Sequence, residues 1–360
     1  MTVISHSIIA PQPTRAADLE RVICDYCGSA QGEALGTLQA PAELPLPMHR
    51  LGATALQLGS ERIGFVRCSG CGFVYMTPRL TGDAITRFYD TVYSTPGAAV
   101  AFDSDQRAFT DYVIGECARF VGSGHLLPLR LLDIGVGGGQ MLAAAQRRGW
   151  HIAGSEISAV AARRASEQLG IEVFNGDFRA AGYAPASFDV VTLVFVVEHV
   201  RDPVAMLAAA TDLLAPGGVL FVAVPSPASW EFALARLTGQ LWRGFIIEHL
   251  SYFSPAFMRT LIAALGLEVA KLNCWSPEVA FPNPLRDVMA MIKPSPPTPL
   301  PQGEGLQDAE PSAVIPPLPP MSLLRRVLRQ INNYALDTVS AVSAYTPASG
   351  NAIHMWARKR

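Results

Sequence analysis

Three groups of residues in this chain are equipped for chemistry: two cysteine pairs, a glycine-spaced loop behind an aspartate, and two Glu-His dipeptides. Cys24 and Cys27 in "CDYCG" and Cys68 and Cys71 in "CSGCG" form a CxxC…CxxC pattern. Four thiolates offered as two knuckles suit a tetrahedral structural zinc ion, and the glycine after each second cysteine suits a turn whose N–H groups face sulfur. A redox pair or a rubredoxin-like iron is the rival reading. A redox CxxC, however, normally occurs once, at a helix start in its own α/β domain. The expectation is Zn2+ on Cys24, Cys27, Cys68 and Cys71, with Cys117 and Cys274 as core thiols.

The second group is "LLDIGVGGGQML" (131–142): an apolar run, Asp133, then Gly135, Gly137 and Gly139, then apolar residues again. A strand, a glycine turn and a helix make a nucleotide-type site, because glycine lets backbone approach a ligand and the helix N-terminus favours negative charge. The dinucleotide fingerprint is GxGxxG; here the third glycine comes one residue early. Asp133 would repel a pyrophosphate but attract an ammonium or sulfonium. Glu156 in "IAGSEIS" ends the next strand, where an acid can accept ribose hydroxyls. Asp177 in "NGDF" ends the third, where a carboxylate can accept an adenine amine proton.

Taken in order, "DIGVGGG", "EHVRDP" and "LLAPGGVLFVAVP" resemble the class I S-adenosylmethionine-dependent methyltransferases of small molecules, over residues 130–275. The resemblance implies a Rossmann-like α/β fold with a seven-stranded sheet, preceded by the small zinc ribbon. It also implies S-adenosyl-L-methionine as cofactor, cradled by Asp133, Gly135, Gly137, Gly139, Glu156, Asp177 and Phe178, with Glu198 at the sheet mouth. A ribbon before such a domain is similar to a zinc-bearing group acting on sugars and secondary metabolites. "EHLSYFS" (248–254) is similar to an element of sugar C-methyltransferases in which the matching histidine is the proposed base. Ile246 replaces that element's tyrosine and a downstream glycine-rich segment is missing, which weighs against sugar C-methylation.

Methyl transfer is an in-line displacement, so the enzyme must align the acceptor and, where needed, remove its proton. An Asn/Asp-Pro-Pro-Tyr motif for amino acceptors is absent after the fourth strand, which reads "FVVEHV". No cysteine stands there for carbon-5 of pyrimidines either. The expected acceptor atom is therefore an oxygen, less favourably a carbon, of a sugar, glycoconjugate or secondary metabolite. His249, His199 and Glu248 are the candidate catalytic residues; each histidine is alternatively a hydrogen-bonded structural group, and Glu248 alternatively orients His249. Phe88, Tyr89 and Tyr93 either lie over the sulfonium, or Ile85, Phe88 and Tyr89 form a packing face of their helix.

These side chains need an ordered scaffold. Alternating apolar strands and helical patterns place strands at 130–134, 151–155, 171–174, 189–195, 219–224, 267–272 and 351–358, with the last two as neighbours. Helices fit at 139–148, 158–169, 203–214 and 255–265. The implied organisation is a flexible tail (1–20), the ribbon (21–80), a helical bridge (81–125) and the catalytic domain (126–360). That domain carries a proline-rich insertion at about 276–322 and an amphipathic helix at about 322–341.

Composition agrees. Half the residues are apolar, 16% are charged and the net charge is −2, which supports a sizeable core and argues against nucleic acid as the main partner. The start of the chain lacks a signal-peptide pattern and no apolar run is long enough for a transmembrane segment, so a cytoplasmic location is expected. Two rival functions remain at this point: a nicotinamide-dependent oxidoreductase on a similar sheet, and a non-catalytic binding protein built on the ribbon.

Overall fold

The computed structural model describes residues 18–40, 42–44, 47–95, 105–122, 128–237, 239, 241–275 and 352–360. The proline-rich insertion and the expected helix at 322–341 lie outside the described residues. In chain order the elements are β1 (Leu19–Glu20), β2 (Gly32–Leu38), α1 (Pro47–Ala53), β3 (Ile63–Cys68), β4 (Val74–Met76), β5 (Arg79–Leu80), α2 (Gly82–Ser94) and α3 (Asp105–Phe120). There follow β6 (Arg130–Ile134), α4 (Gln140–Arg147), β7 (His151–Glu156), α5 (Ala159–Leu169), β8 (Phe174–Asn175), β9 (Phe188–Val194), α6 (Pro203–Leu213) and β10 (Leu214–Pro225). The last are α7 (Trp230–Leu237), β11 (Ser251–Tyr252), α8 (Pro255–Ala264), β12 (Leu267–Trp275) and β13 (Ala352–Lys359).

Seven strands form one sheet in the order β12-β13-β10-β9-β6-β7-β8. β10, β9, β6, β7 and β8 run parallel, joined by helical crossovers, and β13 inserts antiparallel between β10 and β12. This is the Rossmann-like methyltransferase architecture expected from the motifs, including the pairing of the last two strands. The third strand is shorter and later than its apolar pattern predicts: only Phe174 and Asn175 pair, with Ser155 and Glu156.

Local chemistry sets the boundaries. Ser158 caps α5 by accepting the Ala161 N–H, and Gly170 ends it in the left-handed conformation. Asp202 caps α6, with Pro203 in its first turn, where a missing N–H costs nothing. Ser254 and Pro255 repeat the arrangement at α8. Asp189 at the start of β9 takes the Arg130 guanidinium through two oxygens (2.8 and 3.2 Å), locking the base of the two central strands together.

One face of the sheet buries Leu132, Val191, Leu193, Leu220 and Met355 under α6 and α8. The other buries Leu131, Val190, Val219 and Trp356 under α3, α4 and α5. A third core lies below β2, β3 and β4 and mixes Phe65, Met76 and Phe88 with Phe232, Trp242, Phe245 and Tyr252 from the segment after β10. The small sheet above it has the order β11-β4-β3-β2, so its edge strand comes from residues 251–252, more than 170 positions along the chain from β4. Cys117 and Cys274 are buried, as expected of core thiols.

Candidate active site

The carboxyl ends of β6, β7, β8 and β9 converge where the strand order reverses, the usual ligand crevice of an open α/β sheet. Asp133 ends buried beside β9 and accepts a hydrogen bond from Thr192 Oγ1 at 2.6 Å. Burial pushes its carboxyl up to about 7; the Thr192 bond opposes this and the neighbouring Glu156 adds to it. A carboxyl so held gains from a cation brought close, so the ammonium of an amino acid fits this position.

Gly135 and Gly137 both have positive φ. A Cβ on Gly135 would stand 2.4 Å from Val196 Cγ2, so that glycine admits the 195–199 turn as well as turning the chain. Gly139 caps α4 in the left-handed conformation. Glu156 spans the loop: its carboxylate accepts the Gly137 N–H at 2.9 Å and the Ser158 N–H at 2.8 Å. It thus braces the glycine turn. Asp177 is grasped by Arg179, with Nε 2.9 and 3.1 Å from its two oxygens, which holds its carboxyl below the usual range. The Asp177 carboxylate, expected to meet an adenine amine, is thus already engaged by Arg179. Phe178 is buried beside it.

Beyond β9 the chain passes through Phe195, at φ +54, into the short turn Val197–His199. Positive φ in a bulky residue is costly and concentrates at functional turns. Here it turns the chain so that Glu198, fully buried, faces two imidazoles. His199 Nε2 lies 3.7 Å and His249 Nε2 3.9 Å from Glu198 Oε1, and the two rings are 4.7 Å apart between centroids. These separations exceed hydrogen-bond length. One atom from each of Glu198, His199 and His249 lies within 4.8 Å of the others, spacing that a metal ion could use.

The tautomer of His199 follows from its neighbours. Its Nδ1 lies 2.9 Å from the Glu248 carbonyl oxygen and 2.7 Å from Tyr89 Oη. A carbonyl can only accept, so Nδ1 carries a proton, and in the neutral ring the lone pair is then on Nε2, the atom facing Glu198. Burial pushes both neighbouring acids upward, Glu198 well above the carboxylate range and Glu248 to about 8.

The sequence pattern singled out Glu248 as an acid, and it is the backbone carbonyl of this residue that meets His199 Nδ1. Tyr89 resolves two ways at once: its helix packs Ile85 and Phe88 inward, while its hydroxyl reaches His199. Tyr93 hangs over the glycine loop, 3.6 Å from where a Gly137 Cβ would be. Arg179 and Thr192 were not visible as site residues, because neither belongs to a chemistry-bearing motif and each acts through a strand-end acid.

The four cysteines also gather. Cys24 Sγ and Cys71 Sγ are 3.6 Å apart, Cys27 Sγ and Cys68 Sγ 3.4 Å, and all four sulfurs lie within 4.8 Å of one another. A tetrahedron with Zn–S bonds of about 2.3 Å has edges of about 3.8 Å, so the set fits that ion. Burial raises the Cys24 and Cys71 thiols, whereas at Cys68 the N–H groups of Cys71 and Gly70 and the Cys27 thiol outweigh burial and bring the thiol down to about 6. One of the four thus favours thiolate with no cation bound.

Residues 106–272 match a family profile described as a methyltransferase domain. The ubiquinone biosynthesis O-methyltransferase of Aeromonas salmonicida is 39% identical over 162 residues, covering 42% of this chain and 68% of that one. That of Ruegeria pomeroyi is 36% identical over 172 residues, covering 44% and 68%. A solved S-adenosylmethionine-dependent methyltransferase from Archaeoglobus fulgidus aligns over 70% of this chain and 94% of its own, with 14% identity and a TM-score of 0.41. The chain belongs to the class I S-adenosylmethionine-dependent methyltransferases. It is an enzyme of methyl transfer, which removes the oxidoreductase and non-catalytic readings.

Proposed function

We propose that this enzyme transfers a methyl group from S-adenosylmethionine to a hydroxyl oxygen of a small molecule, the sugar, glycoconjugate and secondary-metabolite acceptors named above being its substrate class. The observation that carries the reading is the convergence of His199 Nε2, His249 Nε2 and the Glu198 carboxyl beside the glycine loop. A hydroxyl placed among them meets a lone pair able to take its proton. The name borne by the relatives, ubiquinone biosynthesis O-methyltransferase, likewise favours oxygen as the acceptor atom and adds the hydroxyls of ubiquinone-biosynthesis intermediates to those worth testing.

When bound, the cofactor supplies a carbon already activated by its sulfonium. The chain's own residues do the rest. Asp133 takes the ammonium, the 135–139 turn gives close backbone approach, Glu156 takes the ribose hydroxyls, and Asp177 with Phe178 takes the adenine. Glu198 stands at the boundary between cofactor and acceptor. His249 or His199 holds the acceptor's proton, and Glu248 fixes the His199 ring through its carbonyl. Zn2+ in the cysteine centre would be structural, with residues 21–80 as its module, 81–125 as the bridge and 126–360 as the catalytic domain. Four cysteines gathered as metal ligands, with Cys117 and Cys274 as buried thiols, fit a cytoplasmic setting; no helix among the described residues is long and apolar enough to cross a membrane.

Calorimetry of S-adenosylmethionine, its demethylated product and NAD(H) tests the cofactor half, with Asp133→Ala as the weakened control. Methyl-labelled cofactor offered with ubiquinone-biosynthesis intermediates, sugars and carbon acids tests the other half. His249→Ala and His199→Ala are expected to lower kcat by about 10²–10⁴ for whichever is the base, with cofactor binding little changed. Cofactor binding without transfer to any hydroxyl, or unchanged kcat in both variants, would overturn the assignment.

A further inference from the structure

We propose that the cysteine centre is a positioning device for the histidine pair, holding Glu248–His249 against the Glu198–His199 turn through the strand β11. Its catalytic consequence rests on the methyl-transfer reading above; its geometry does not.

The path is short. The knuckle Cys68–Cys71 is the turn between β3 and β4, closed by the Cys68 N–H donating to Phe73 O at 2.8 Å. β4 pairs with β11, Tyr75 opposite Ser251 and Val74 opposite Tyr252. Adjacent to this ladder, the Met76 N–H donates to Leu250 O at 2.9 Å, and the Leu250 N–H donates to Glu198 O at 2.7 Å. Leu250, the neighbour of His249, is thus tied on one side to the knuckle's strand and on the other to the acid facing both imidazoles. The rings grip the same segment: Phe73 lies 5.6 Å from Phe253 and 5.0 Å from Phe257, and Tyr26, inside the first knuckle, meets Phe257 at 4.6 Å edge-on.

A polar path reaches the other histidine. Arg79, only 4% exposed, pairs with Asp25 of the first knuckle and with Glu20, and Glu20 also takes Arg201, two residues beyond His199. Both histidines therefore sit within a few residues of a contact leading to the cysteines. β11 has two residues and cannot define its own position; β4 does so, and β4 is anchored at the knuckle. Catalytic groups must be held to about 0.5 Å, so a loosened knuckle costs alignment before it costs the fold.

The test uses the full chain, metal analysis, hydrogen exchange and calorimetry. The purified protein should carry a single Zn2+ that His249→Ala retains and Cys71→Ser loses, which assigns the ion to the cysteines. Removing it by chelation should speed exchange of the Met76 and Leu250–Tyr252 amides by about tenfold or more, with the β6 amides within about twofold. S-adenosylmethionine affinity should stay within about threefold while kcat falls. Should Cys71→Ser not fold, Tyr26→Ala keeps all four thiols and should speed exchange at 250–252 with the metal retained. A protein without metal at the cysteines, unchanged exchange at 250–252 on metal loss, or equal acceleration in β6 would each overturn the proposal. Failure of S-adenosylmethionine to bind either form would instead remove the methyl-transfer reading and leave the exchange result standing.

Discussion

Asp133 shows how one side chain couples the fold to its ligand. The folded chain keeps on this carboxyl a proton that the unfolded chain releases near pH 4, up to about 7. Unfolding therefore releases a proton between those values, and stability falls as pH rises through that window. Asp133→Asn keeps an acceptor for Thr192 and has no charge to bury. Thermal denaturation without cofactor should find the variant gaining on the parent from pH 5 to pH 8, while calorimetry finds cofactor binding weakened. A variant whose stability tracks the parent across that range would show that Asp133 ionises freely in the fold. His199 has a comparable dependence on its surroundings. Tyr89→Phe removes one of two groups at Nδ1 and leaves the Glu248 carbonyl, so a modest loss in kcat with a shifted pH profile is expected. An unchanged profile would leave Tyr89 with packing alone.

At the scale of elements, the segment between β10 and α8 connects the two parts of the molecule. Phe245 stacks on Phe65 of β3 at 4.1 Å with planes 7° apart, and Tyr252 and Trp242 close around them. Phe245→Ala opens a cavity under both β3 and the Glu248–His249 turn. A loss of about 3–5 kcal/mol is expected in denaturant unfolding, together with loss of turnover. A loss under about 1 kcal/mol would mean that the segment is held by β11 alone. Most helices and strands of the large sheet were legible within a residue or two, because capping serines and Asp-Pro punctuation mark their ends. Three strands were not: β10 begins at Leu214, five residues before its expected start and with the Pro-Gly-Gly turn inside it, β12 runs three residues further to Trp275, and the β8 ladder begins only at Phe174.

For the molecule as a whole, β13 is the element on which the sheet closes. It lies between β10 and β12, buried over most of its length, with Trp356 and Met355 on opposite faces. Ending the chain at Gly350 leaves two unpaired edges and strips both cores of a wall. Such a truncated chain should show no cooperative thermal transition and should aggregate; a cooperative transition near that of the full chain would show that the sheet closes without β13.

The sequence by itself determined the strand order of chemistry: Asp133, the glycines, Glu156 and Asp177 follow one another because each ends a strand or opens a turn, and local punctuation fixes those places. It likewise determined the four-cysteine set, since thiolate chemistry and CxxC spacing are local properties. The tertiary structure alone decided what Glu198 faces. That a 3.7 Å and a 3.9 Å approach bring two histidines, fifty residues apart, to one carboxyl depends on β11 pairing with a strand from the N-terminal sheet. No local propensity encodes such a pairing. It arises because burying Phe65, Phe245 and Tyr252 together removes more apolar surface from water than either part can remove alone.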